Sequence, residues 1–137
     1  MSRIIRNYTN NITNYDILFR EECYAIVGAA MKVHRALGHG FSESVYHEAL
    51  IREFERSAIP FETKKRFDVF YEGIKLDKYF VADLVCFDQI VVELKATSVL
   101  VHANKLQVLN YLKASNMRLG ILINFGTPSL TYQRLIL

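Results

Sequence analysis

Asp83, Glu93 and Lys95 are the residues whose types and spacing could do chemistry in this chain. In Ile90-Val91-Val92-Glu93-Leu94-Lys95-Ala96 an acid and a base stand two apart inside an apolar run. An extended strand puts Glu93 and Lys95 on one face and Val92 and Leu94 on the other. Burying a charge costs about several kcal/mol unless it is paired or bound to a cation. Two charges on one face of such a strand therefore suggest a use. Asp83 lies one strand earlier, ahead of a short polar link at Asp88-Gln89. An antiparallel reversal there brings it toward Glu93. A symmetric two-residue turn places Glu93 opposite Leu84 and makes Asp83 a diagonal neighbour. Two carboxylates converging near a backbone carbonyl form the oxygen-rich site that Mg²⁺ or Mn²⁺ prefers. A lysine beside them can orient a hydrolytic water and offset phosphate charge, which is phosphodiester chemistry. Taken alone, Glu-x-Lys also describes a weakly stabilising surface ion pair on an edge strand.

The elements that must position these groups can be read from periodicity. Ile26, Val27, Ala30, Val33 and Leu37 recur at helical spacing in a segment that starts near Asp16 and stops at Gly38-His39-Gly40. Ser42 stands where it can cap a second helix, whose apolar stripe is Val45, Tyr46, Ala49, Leu50 and Phe54. Three strands follow at 61–71, 74–87 and 90–95, with Glu72-Gly73 and Asp88-Gln89 as tight reversals. Residues 102–115 return to the helical period with Leu106, Leu109 and Leu112 on one side. Strands at 119–125 and 130–137 close the chain. Asn104, Gln107 and Tyr111 share a face of the helix at 102–115, opposite the leucines. This order predicts an α/β sandwich in which that helix crosses between sheet strands.

The chain's 137 residues argue for one domain. We expect a loosely held arm over 1–15, rich in Asn, Thr and Arg, and a single domain over 16–137. At 51% hydrophobic and 23% charged the composition excludes disorder and collagen-like or low-complexity readings. No apolar run is long enough for a membrane span and the start lacks a signal peptide's apolar core, so a cytoplasmic protein is expected. Cys23 and Cys86 lie far apart and read as buried reduced thiols. His34, His39, His47 and His102 have no zinc-ligand spacing, and His34 falls on the apolar face of the first helix as a core histidine. A net charge of +3 permits nucleic-acid contact without requiring it. The run Lys64-Lys65-Arg66 reads as a solvated strand face, with a phosphate clamp as the lesser reading.

Gly40-Phe41-Ser42-Glu43-Ser44-Val45-Tyr46 resembles the signature of the GxxExxY proteins. The likeness runs on through Val33-His34-Arg35, Ala82-Asp83-Leu84, Val92 to Ala96, Gln107 to Lys113 and Leu122 to Gly126, covering about residues 22–137. That family is similar to the PD-(D/E)XK nuclease-like superfamily. The resemblance implies a restriction-endonuclease-like core of helices, three-stranded antiparallel meander, crossover helix and further strands, a mixed sheet flanked by helices. It also implies that Asp83 and Glu93 are metal-binding acids, that Lys95 is the catalytic lysine, that Glu43 adds a third, helix-borne acid, and that Gln107 faces the site. Glu43 in the first turn of a helix is equally a plain helix-start acid. Val81 stands where relatives often carry a basic residue.

These readings converge on a nuclease for DNA or RNA that uses Mg²⁺ or Mn²⁺. Two others stand beside it: a nuclease-like module that binds nucleic acid or protein with little cleavage, and a homo-oligomeric structural or regulatory subunit. With little surface for gripping a duplex, a homodimer or a protein partner is expected, and no membrane.

Overall fold

A run of strands interrupted by one helix must return that helix across the sheet. The computed structural model, which describes residues 18–137, follows this order. Helices α1 (Arg20–Leu37) and α2 (Glu43–Arg56) precede strands β1 (Phe61–Tyr71), β2 (Ile74–Cys86) and β3 (Ile90–Lys95); helix α3 (His102–Ser115) leads to β4 (Leu119–Asn124) and β5 (Thr131–Ile136). The five strands form one mixed sheet in the order β1-β2-β3-β4-β5. All neighbours are antiparallel except β3 and β4, which α3 joins as a parallel crossover. The arm expected over 1–15 lies outside the described residues.

Helices cover both faces, which is why β3 and β4 are buried almost throughout and read as mainly apolar runs. On one face Ile26, Ala30, Tyr46, Leu50 and Phe54 of α1 and α2 pack on Leu84, Val92, Leu94 and Ile121. On the other, Tyr111 and Leu112 of α3 pack on Phe67, Ala82, Val85 and Val91. The buried side of α3 differs from the leucine stripe expected from sequence: Val108, Tyr111 and Leu112 face inward, and Leu106 is 46% exposed. Gly120 explains the choice. A Cβ there would stand 2.5 Å from Val108 Cγ1, so the missing side chain lets α3 seat Val108 against β4.

Strand alternation breaks at Lys64 and Asp83. Ala82 belongs to the α3 side and Leu84, two residues on, to the α1/α2 side; Phe61 and Phe67 divide in the same way. A regular strand would put each pair on one face. The side-chain phase changes where the β1–β2 ladder passes from Thr63↔Leu84 to Lys65↔Ala82 without pairing Lys64 and Asp83, while the register between the strands runs on unchanged. The register shift lies farther along, between Asp68 and Phe70. Lys64 takes a left-handed backbone, φ 51°. This kink re-aims both side chains with no residue added to either strand.

The turns fix the rest of the register. Glu72 and Gly73 both have positive φ, as a two-residue hairpin turn of the primed kind requires. The β2–β3 turn corrects the sequence reading. Phe87 joins Asp88 and Gln89 in the loop, Phe87 and Asp88 take positive φ, and Cys86 pairs with Ile90. One added loop residue moves Glu93 from opposite Leu84 to opposite Asp83.

Candidate active site

Beyond Leu84↔Val92 the β2–β3 ladder gives way to side chains. The Asp83 N–H donates to Glu93 Oε1 at 3.1 Å, and the Leu94 N–H donates to Asp83 Oδ2 at 2.9 Å. Each carboxylate thus takes a backbone donor from the other's strand. Glu93 is 4% exposed. Burial, and then the charge of Asp83, push its carboxyl up to about 8, against the lowering effects of the Asp83 N–H and of Lys95. The Glu93 carboxyl also hydrogen-bonds the Asp83 side chain. Like charges this close resist joint ionisation, which favours the protonated form of Glu93.

Lys95 is half-buried, two residues beyond Glu93 on the α3 side. Among the described residues it makes no ion pair within 4 Å. Its strand is anchored where β3 and β4 leave the sheet. Lys95 pairs with Asn124, and its carbonyl accepts the Phe125 N–H at 2.8 Å. The buried Asn124 amide then closes on the next loop: Oδ1 accepts from Thr97 N at 3.1 Å and from Gly126 N at 3.0 Å, while Nδ2 donates to Thr97 O at 2.9 Å. A Cβ at Gly126 would fall 2.2 Å from Thr97 N, so only glycine permits this approach.

Helix α2 brings its first turn to Asp83. Gly38 and Gly40 have φ of 69° and 115°, conformations that favour glycine. The Tyr46 hydroxyl donates to Gly38 O and accepts from Phe41 N, and its ring stacks on Phe125 at 4.7 Å. Tyr46 therefore ties the loop to the end of β4. Ser42 sits at the cap position, but its hydroxyl contacts Ser44 Oγ instead of capping the helix. Glu43, Ser44, His47, Lys64 and Asp83 border a cleft of about 330 Å³. Glu43 lines this cleft with Asp83, yet among the described residues no three His, Cys, Asp or Glu side chains gather closely enough to hold a metal ion. The close pair is Asp83 and Glu93, two hard oxygen donors of the kind that suits Mg²⁺ or Mn²⁺.

From α3, Tyr111 closes the opposite side. Burial, then the charges of Glu93 and Asp83, push its hydroxyl up to about 12, while a hydrogen bond with Gln107 pulls the other way. The Tyr111 hydroxyl thus lies in the field of both carboxylates, with Gln107 as its hydrogen-bond partner. Asn104 accepts the Val101 N–H at the helix start. His34 is buried, with Nε2 2.9 Å from Thr127 O, and both cysteines are buried, Cys86 pushed up to about 12 by burial.

The site contains two residues that spacing had not singled out. His47 stands one turn after Glu43, with Nε2 3.4 Å from Asp83 O; the i, i+4 relation was a readable signal. Lys64 places Nζ 3.4 Å from Asp83 Oδ1. Nothing in its residue type announces the positive φ that turns it there.

A model of the PD-(D/E)XK nuclease superfamily matches residues 20–135. No curated protein matches. Among solved structures, the crystal structure of SSO0001 superposes with a TM-score of 0.55 at 18% identity over 88% of this chain, a likeness of fold. This chain spans 60% of that protein's length.

Proposed function

The chain belongs to the PD-(D/E)XK nuclease superfamily, and from that premise we propose that it is a divalent-metal-dependent phosphodiesterase of the GxxExxY branch, acting on DNA or RNA. Asp83 and Glu93 would hold Mg²⁺ or Mn²⁺. The observation that carries this reading is their mutual arrangement: two carboxylates, one nearly sealed from solvent, each fixed by the other strand's N–H. A buried acid pair is poorly compensated, and a dication would satisfy both oxygens. When bound, such an ion supplies Lewis-acid stabilisation of charge on a phosphoryl oxygen.

The chain's own residues divide the remaining work. Lys95, with no ion pair within 4 Å among the described residues and on the Glu93 side of β3, orients the attacking water and offsets charge that develops on the phosphate. The Asn124 clamp holds the strand exit that carries Lys95, since orientation errors of about 1 Å are costly to catalysis. Glu43 reaches the same hollow from α2 and adds a carboxylate on the Asp83 side. Gln107, bonded to Tyr111, presents its amide from α3.

Mn²⁺ titration followed by a nicking assay on single-stranded and duplex DNA and RNA tests this reading. Wild type should bind the ion and cleave, while Glu93→Ala should do neither. Salt-sensitive nucleic-acid binding that Glu93→Ala leaves intact, with no cleavage by wild type, would instead favour a binding module.

A further inference from the structure

The basic run Lys64-Lys65-Arg66 does not act as one patch. Lys65 Nζ pairs with Glu62 at 3.0 Å; Arg66 Nε pairs with Asp68 at 2.9 Å, and its guanidinium lies 3.8 Å over the Tyr79 ring. Of the three, Lys64 leaves the strand pattern, because its left-handed backbone sits opposite Asp83 at a β1–β2 position that the ladder does not pair. Its ammonium is 3.4 Å from Asp83 Oδ1, although its side chain is 63% exposed. A positive φ on a non-glycine residue costs about 1 kcal/mol or more, and here it aims a cation at the acid already assigned to the metal.

We propose that Lys64 is a substrate-binding residue held in reserve: it occupies Asp83 in the metal-free protein and, once a dication takes that carboxylate, serves with His47 in the cleft beside it as a ligand for a phosphate group of the nucleic acid. The proposal rests on the nuclease reading above and adds the subsite to it. Three features carry it. An ammonium on Asp83 must give way to a second cation, since the two repel and compete for the same oxygen. The side chain is long and solvent-exposed, so it can swing at small cost. The space it can enter is the cleft of about 330 Å³ lined by Glu43, Ser44, His47, Lys64 and Asp83. Glu43 would oppose a phosphate there on its own account, so anion binding should depend on the ion.

The experiment measures two affinities in each variant: Mn²⁺ by calorimetry without nucleic acid, and a short labelled DNA strand by fluorescence anisotropy in Ca²⁺ and in EDTA. For Lys64→Met, Mn²⁺ binding should tighten by about threefold, the worth of one exposed ion pair, while DNA binding in Ca²⁺ weakens by about fivefold and DNA binding in EDTA does not change. Lys64→Arg should restore DNA binding, and His47→Gln should weaken it without tightening Mn²⁺. Lys65→Met removes the same charge one residue away and should leave both affinities at wild-type values. Parallel losses in both affinities for Lys64→Met, or equal effects of Lys64→Met and Lys65→Met, would overturn the proposal. If the opposed shifts occur but wild type never cleaves, the subsite stands and the nuclease reading falls. If wild type cleaves and Lys64→Met leaves DNA affinity unchanged, only the subsite falls.

Discussion

The Asp83 N–H donates to Glu93 Oε1 at 3.1 Å, so the backbone of one acid holds the side chain of the other across two strands. The geometry that fixes the pair also burdens it, because the Glu93 carboxyl is pushed up to about 8 by burial and by the Asp83 charge.

A pH dependence follows for the metal-free protein. Between the ordinary carboxyl value of 4.5 and about 8 the folded state keeps a proton on Glu93 that the unfolded chain has released. Stability is therefore fully present below the lower value and declines as pH rises toward the upper one. The loss should be on the order of a few kcal/mol at about 1.4 kcal/mol per pH unit. Urea midpoints at pH 5 and pH 8 measure it. Glu93→Gln should flatten the difference, and saturating Mn²⁺ should shrink it in wild type. Equal wild-type midpoints at both pH values would show that Glu93 keeps no such proton.

Lys95→Ala separates chemistry from metal binding. The lysine makes no ion pair within 4 Å among the described residues, so its removal breaks no direct contact and only withdraws a more distant charge from Glu93. Metal-dependent cleavage should drop by about a hundredfold or more, with Mn²⁺ affinity held within about threefold. A variant that cleaves at the wild-type rate would remove Lys95 from the mechanism.

The strand exit behind Lys95 should be intolerant of change. Asn124→Ala strands Thr97 N, Thr97 O and Gly126 N, and should cost about 2 to 4 kcal/mol. Gly126→Ala drives a methyl into the Ala96–Thr97 backbone, which cannot rotate away as a side chain could, and should cost about 2 to 3 kcal/mol. Both should lower cleavage by folded protein at permissive temperature, because the displaced segment begins at Lys95. Full activity in a stably folded Gly126→Ala variant would show that the exit does not position the lysine.

How much of this was legible depended on the range of the interaction. Glu72-Gly73 announced its turn because the glycine accepts positive φ freely, and the apolar runs of β3 and β4 announced burial on both faces. The β2–β3 register was not legible, because Phe87 adopts a φ of 55° that its residue type does not favour. Lys64 was legible only as part of a basic run: what sets it apart from Lys65 and Arg66 is a φ of 51° that its residue type does not announce. The α3 face was misread because leucines at 106, 109 and 112 outweigh one valine by count, whereas the absent side chain of Gly120 decides which residue fits. Asp83, Glu93 and Lys95 stood out because charge inside an apolar strand is costly wherever the strand ends up.

The α3 side of the site gives the last test. Tyr111 packs on Phe80 at 5.7 Å between centroids, so its ring belongs to the core while its hydroxyl meets Gln107 and the field of both acids. If Gln107 serves substrate and Tyr111 serves to hold it, Gln107→Ala should cut cleavage by about tenfold while shifting stability by less than about 1 kcal/mol. Tyr111→Phe keeps the ring, frees the amide, and should give a smaller loss of the same kind. Because one hydrogen bond joins them, the double variant should cleave no worse than Gln107→Ala alone. Losses that multiply in the double variant would mean that the two residues act separately, and a Gln107→Ala protein that melts early with normal specific activity would assign the amide to the fold.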